Sequence, residues 1–485
     1  MSEAIEGLKP ELLWKHFAAI SRIPRCSKNE AAVAHYVLDT AKRLGLGAKQ
    51  DKFGNVVVRK PATLGKKSVP SVALQGHLDM VCEKNADKVH DFSKDPIELV
   101  RQDNILMANG TTLGADNGIA VATSLAIMES TDLDHGPLEL LFTIDEETGL
   151  TGAANLQSDS LESRILMNLD SEEEGELYVG CAGGRNTTGT WEVEFEKAPD
   201  KLQALTLSVK GLRGGHSGLE IDKGRGNSIK ILNRMLIALG ELGARLSTVN
   251  GGNKSNAIPR EAEALLWVSK KKLPEARGVV ERFNQTIRTE LATVEPDLTI
   301  TLEEGGAAKK DKVIPKALQR RLCQTLSAMP TGVVKMSAEI SWLVETSTNL
   351  AVVRTEKKQI GVTTSQRSSV ASEIDEMCQT VQAVFALGKA QVDCSEGYPG
   401  WKPNLESPIL KIARETYQSL FGKMPEVKAV HAGLECGIIG EKIPGMDMVS
   451  FGPTLQGVHS PDEKIFIDTV ERFWTFLLGI LKNIN

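Results

Sequence analysis

Three apolar runs constrain this chain more than any other feature. SVALQ (71–75), PLELLF (137–142) and RILMNLD (164–170) each have the length and composition of a buried strand. Each delivers the chain onto acidic or imidazole side chains: GHLDM (76–80), TIDEETG (143–149) and Asp170. Between them a glycine-rich loop, NGTTLGADNG (109–118), feeds the helical run IAVATSLAIMES. Strands alternating with helices specify an α/β fold whose sheet has much parallel character. In such sheets ligands gather at the carboxyl ends of strands, and His77, Asp79, Glu146, Glu147 and Asp170 all fall there. TIDEETG sharpens the point. Asp145, Glu146 and Glu147 would repel one another at a strand exit unless something there rewards the charge.

The chain has 485 residues, too many for one ordinary core, so two or more domains are expected. Helical spacing marks residues 11–22 and 29–44, and later 403–422 and 471–484. His16 and His35 lie in the first two and read as packing or surface histidines. The pattern changes near Gly183-Gly184 and again near 400. Between these points LQALTLSVKGLRGGHSG leads into the helix-like NSIKILNRMLIALGEL, and KQIGVTTSQRSS leads into IDEMCQTVQAVFALG. The repeated strand–loop–helix order suggests two similar α/β modules. The expected division is 1–185, 186–400 and 401–485.

The formal charge of −6 and the lack of a Lys/Arg block argue against nucleic acid as the partner. No apolar run is long enough to span a bilayer, and the acidic start MSEAIEGLKPELLW does not read as a signal peptide. The seven cysteines are scattered and form no CxxC, which predicts reduced thiols in a cytoplasmic protein. A metal would therefore have to be held by His and carboxylates.

Taken singly, the candidates have plain explanations: a satisfied buried His for His77, an N-cap for Asp116, surface exposure for His459. Together, His77, Asp116, Glu147, Asp170 and His459 offer two imidazoles and three carboxylates. That set suits two zinc ions with one carboxylate bridging, and two cations make the TIDEETG cluster favourable. In an extended HLD, Asp79 faces the same side as His77 and can hold its ring. One of Glu146 and Glu147 can bind metal while the other takes a proton; spacing does not decide which. Asp145 is left as structural.

GHLDM, TTLGADNG, DEETG, NLDSEEEGE and GVHSPDE occur in the order found in the M20 metallopeptidases, and the resemblance spans essentially the whole chain. It implies a di-zinc exopeptidase-like catalytic domain with a mixed sheet, interrupted by an α/β lid. It implies His77, Asp116 and Asp170 on one Zn²⁺ and Asp116, Glu147 and His459 on the other, with Mn²⁺ or Co²⁺ as possible substitutes. Asp79 would orient His77, and Glu146 would be the general base and then the proton donor. From the lid, His216 in RGGHSG would meet the substrate carbonyl. Asn256 in SNAIP would touch substrate, and Arg367 would take its free carboxylate. Glu435 in HAGLECG would pair with the substrate amino group; His431 has no assigned role. NLDSEEEGELYVGCAGG, RGGHSG, GGNKSNAIPR and HAGLECG resemble most the members that cleave unblocked dipeptides, Xaa-His included. A small peptide is thus the expected partner, with neither nucleic acid nor membrane. The doubled lid implies that His216 acts within its own chain, and a homodimer through the lid is compatible. Rival readings are an N-acyl-amino-acid deacylase, a tripeptide-accepting aminopeptidase and a non-catalytic metal-binding homologue.

Overall fold

The computed structural model describes residues 3–304 and 312–485. The chain divides into two compact units, one of Met1–Cys181, Trp401–Ala429 and Leu434–Asn485, the other of Ala182–Gly400 and Val430–Gly433. The second unit takes a four-residue piece from the C-terminal region, which nothing in the linear order of motifs reveals.

The first unit is built on an eight-stranded mixed sheet. The strand Val72–His77 pairs in parallel with Leu138–Thr143 on one side and Ile165–Asn168 on the other. Ile165–Asn168 pairs in parallel with Asp447–Ser450. Val72–His77 and Leu138–Thr143 are buried at every residue, as interior parallel strands covered on both faces should be. That is why their sequences are continuous apolar runs and do not alternate. Antiparallel strands Val56–Lys60 and Glu176–Cys181 flank this centre. Helices Ala31–Arg43, Ala115–Glu129, Pro408–Phe421 and Ile467–Asn483 share its apolar core, with Leu74, Leu140, Met167, Val449 and Phe476 among the buried side chains. Ala115–Glu129 is buried nearly all round, matching the apolar residues spread over every face from Ile119 to Met128. Because the central strands run the same way, their carboxyl ends emerge together. His77 closes one, Ile144–Gly149 leaves another, and Asp170 follows a third.

The second unit carries a larger, antiparallel sheet in which two βαββαβ modules stand side by side. Leu202–Lys210, Ser228–Glu241, Arg245–Gly251, Ala262–Ser269, Leu273–Glu290 and Thr299–Glu304 form one module. Gly183–Glu192, Lys316–Ala328, Val344–Thr355, Gln359–Ser368, Ala371–Leu387 and Gln391–Cys394 form the other, and the first module is inserted after its opening strand. In each, the first strand lies between the third and fourth. The modules join where Gly251 pairs with Val353. The equivalence differs from the one suggested by the two strand–loop–helix stretches. Leu202–Lys210 opens its module, whereas Gln359–Ser368 is the third strand of the other.

The cysteine expectation needs a correction. Cys26 and Cys82 form a disulfide with Cα atoms 5.7 Å apart, and the other five are free. Their 56-residue separation hides the pairing. The backbone supplies it: Cys26 runs beside Met80 in an isolated parallel bridge, and Met80 N donates to Arg25 O at 3.1 Å. His16 is buried against Tyr36 and Glu129, while His35 is exposed and bonds only its own helical turn. No helix among the described residues is long and apolar enough to cross a membrane.

Candidate active site

Three strand ends bring His77, Glu147 and Asp170 together in the first unit, and Asp116 from the glycine loop and His459 from a later loop join them. His77 Nε2 lies 3.2 Å from Asp116 Oδ1 and 3.4 Å from Asp170 Oδ1. His459 Nε2 lies 3.2 Å from Asp116 Oδ2 and 3.0 Å from Glu147 Oε2. Asp116 therefore turns one oxygen to each histidine. It is not the helix N-cap: Gly114 holds that position, and Asp116 sits inside the first turn with ψ 111°.

Two clusters with a shared member result, His77–Asp116–Asp170 and Asp116–Glu147–His459, each with ligand atoms within 4.8 Å of one another. Glu147 Oε1 and Asp170 Oδ1 are buried and have no hydrogen-bond partner. Buried carboxylates left this way are costly unless a cation joins them. The donor set, imidazole nitrogen and carboxylate oxygen with a bridging carboxylate, fits two divalent ions. Burial would lower the His77 pKa, but Asp170, Asp116 and Asp79 outweigh it and raise it well above normal. Its hydrogen bonds to Asp116 and Glu147 push His459 up to about 11. Burial pushes Asp170 up to about 6.

Asp79 does two jobs. Its Oδ1 lies 3.3 Å from His77 Nδ1, beside its own main-chain O at 3.2 Å from the same nitrogen. Its two oxygens also accept the main-chain N–H of Glu146 at 3.0 Å and of Glu147 at 3.2 Å, so it seats the TIDEETG loop. Ser27 Oγ donates to it at 2.8 Å. Asp145 is structural: it precedes the short helix Glu146–Gly149 in the left-handed region at φ 50° and accepts from the hydroxyls of Thr148 and Thr151. Glu146 has no such partners. Burial, reinforced by Asp170, Glu435 and Glu147, holds its carboxyl well above the usual range. Glu435 is buried nearby, with Oε2 accepting from Gln75 Nε2 at 2.6 Å and Thr143 Oγ1 at 2.8 Å, and Oε1 without a partner. Burial raises its pKa to about 7.

Three positioning groups escaped the sequence reading. Asn117 accepts from His77 N at 3.2 Å and donates to Leu169 O at 2.9 Å, tying two ligand segments together. Arg25, fully buried, donates to Leu78 O at 3.0 Å, Asp79 O at 2.9 Å and Gly114 O. Glu463 accepts from the loop before Asp116. Most of their contacts are to main-chain atoms, so residue type and spacing carry almost no signal of them; only Glu463, within GVHSPDE, sits in a quoted motif.

In the second unit, His216 pairs in a two-residue ladder with Ala257–Ile258. Its Nδ1 accepts from Gly218 N at 3.3 Å and Leu219 N at 3.1 Å. That leaves the proton on Nε2, as a neutral donor. Burial and the Arg367 charge lower its pKa to about 4, which keeps it neutral. Asn256, exposed, lines the same cavity as His216. Arg367 is not a solvated loop charge: it lies on the strand Gln359–Ser368, is 6% exposed, and donates from Nη1 to Tyr398 OH at 2.8 Å. His431 is buried with Nε2 2.7 Å from Ser347 Oγ.

Comparison with known proteins adds the following. The model of peptidase family M20/M25/M40 matches residues 73–483. The cytosol non-specific dipeptidase of Escherichia coli K12 is 42% identical over 485 residues, covering 100% of this chain and 99% of that protein. The crystal structure of aminoacylhistidine dipeptidase from Vibrio alginolyticus superposes with a TM-score of 0.92 at 42% identity, covering 99% of this chain and 98% of that one. A Staphylococcus aureus tripeptidase shares the fold at a TM-score of 0.61 and 16% identity, covering 98% of this chain and 99% of that one.

Proposed function

We propose a metal-dependent dipeptidase activity, from the premise that this chain belongs to peptidase family M20/M25/M40. Its substrates are unblocked dipeptides, Xaa-His among them, in keeping with the two relatives that match it end to end. The observation that carries the reading is Asp116, one oxygen toward His77 and the other toward His459. His77, Asp116 and Asp170 would hold one ion and Asp116, Glu147 and His459 the other; Zn²⁺ suits these ligands, as do Mn²⁺ and Co²⁺. Bound there, the ions would lower the pKa of a water and polarise the scissile carbonyl.

The chain's own residues do the rest. Glu146, a half-buried carboxyl whose pKa desolvation raises, takes the proton from the attacking water and passes it to the leaving nitrogen. Asp79 keeps Glu146 and Glu147 in register with His77. His216 donates Nε2–H to the oxygen that gains charge. Asn256 contacts the substrate, and Arg367 receives the free carboxylate through its planar fork. Glu435, with one oxygen unengaged, pairs with the free amino group. An acid there distinguishes a dipeptidase from a deacylase of blocked amino acids. The word cytosol in the name of the E. coli relative supports cytoplasmic residence.

The test is hydrolysis of a panel by zinc-loaded protein, with and without chelator: β-alanyl-histidine, other free dipeptides, a tripeptide and N-acetylated amino acids. Chelator-sensitive cleavage of free dipeptides alone is expected. Cleavage of the acetylated substrates would replace the dipeptidase with a deacylase, and cleavage of none would remove the catalytic reading.

A further inference from the structure

The loop that presents Asp116 has an unusual anchor. Glu463 is 2% exposed. Its Oε2 accepts from Leu113 N at 2.7 Å and Gly114 N at 2.9 Å, and its Oε1 from Ala115 N at 2.8 Å and Asp116 N at 3.2 Å. Four successive amide N–H groups thus converge on one carboxylate. They belong to the turn ahead of the regular helix, where Gly114 is left-handed and Asp116 and Asn117 depart from helical dihedrals, so no helical carbonyl is placed to take them. From the other side the Arg25 guanidinium donates to Gly114 O and lies close enough to offset the Glu463 charge. Gly114 itself takes φ +68°, and a side chain there would strike Arg25 Nη2 at 2.5 Å.

Glu463 also closes the turn that carries His459. Its N–H donates to Ser460 O at 3.0 Å, and Ser460 Oγ donates to Gly457 O at 2.7 Å. One residue therefore joins the loop of the shared ligand Asp116 to the loop of His459, which come from distant parts of the sequence.

We propose that Glu463 is a positioning residue of the metal centre, its carboxylate fixing the Asp116 loop against the turn that bears His459. The inference rests on the metal-centre reading above. It places the specificity of the interaction in the carboxylate itself. An amide of the same shape has only one acceptor oxygen, and its NH₂ would face two N–H donors. A change at Glu463 therefore acts first on the ion shared by Asp116, Glu147 and His459, and less on the one beside His77 and Asp170.

The experiment is a calorimetric titration of metal-free full-length protein with Zn²⁺, wild type against Glu463→Gln and Glu463→Asp, with melting temperatures of the metal-free forms. Groups that orient ligands from behind typically contribute 10–100-fold in affinity. Glu463→Gln is expected to weaken one of two ions by about 10–100-fold and leave the other within a few-fold. Glu463→Asp, which keeps both oxygens but not the reach, is expected to fall between and serves as the deciding variant if the Gln protein does not fold. Two ions bound with wild-type affinity by both variants would overturn the proposal. Equal weakening of both ions with a lower melting temperature would also overturn it, because that is the signature of general destabilisation. Failure of the wild type to bind two ions would instead remove the metal-centre reading on which the proposal stands.

Discussion

The two halves of the candidate metal centre are built by different means. His77 is 1% exposed and closes an interior strand; Asp79 backs its ring and Asn117 holds its main-chain N–H. His459 stands on a loop with φ 62° and a side chain 52% exposed, and its ring nitrogen meets only Asp116 and Glu147. The first histidine is placed by sheet register, which many parallel hydrogen bonds share. The second is placed by one turn and the carboxylate that pins it. The contrast teaches that the buried half gives the centre its fixed geometry, while the open half leaves room for water and a peptide to approach.

The largest expected effect asks whether chemistry can be separated from both halves. Glu146→Gln should reduce turnover by roughly 10²–10⁴-fold while the protein binds the same number of ions by calorimetry. Near-normal turnover would end its role as base. Next comes the contrast itself. His77→Ala should lose an ion and also lower the melting temperature of the metal-free protein, since it leaves Asp79 and Asp170 facing a cavity. His459→Ala should lose one ion with a smaller fall in that temperature, because its side chain is 52% exposed and leaves no cavity behind. Matching melting behaviour in the two variants would break the comparison.

A smaller effect sharpens it. Asp79→Asn keeps the shape but weakens the hold on His77 and on the Glu146–Glu147 main chain, so Zn²⁺ affinity should fall about 10–100-fold. The smallest effect is in pH. His459 titrates near 6.5 when unfolded and is raised to about 11 in the fold. The native state therefore binds the extra proton between those values, and metal-free protein should lose stability as pH rises above about 6.5. Thermal melts of the metal-free protein across that range should show the decline. The zinc-loaded protein, with metal in place of the proton, should show a flatter profile, and His459→Ala should flatten the metal-free one.

What the sequence made legible follows from what each residue contacts. The central strands were readable because a strand buried on both faces is an unbroken apolar run, and the strand ends then pointed to His77, Glu146, Glu147 and Asp170. Asp116 and His459 became persuasive only as members of a set, because a loop residue has no periodicity to betray it. Glu463, Asn117 and Arg25 bind largely to main-chain groups, which every residue possesses, so no pattern of types could nominate them. The Cys26–Cys82 pairing depended on a backbone contact between Arg25–Cys26 and Met80. The two modules of the second unit were visible as a repeated order of elements, but their true equivalence depends on strand adjacency, which sequence order alone does not state.

The first unit is written in the chain on both sides of the second, and this has a consequence during synthesis. His77, Asp116, Glu147 and Asp170 leave the ribosome before the second unit is made; His459 and Glu463 leave after it. At about 5–20 residues per second the gap lasts on the order of tens of seconds. Throughout it the N–H groups of Leu113–Asp116 lack their acceptor, and the half of the centre that opens to solvent lacks its histidine. On the metal-centre reading proposed above, hydrolytic competence waits for His459, and a nascent product carries the four earlier ligands without it.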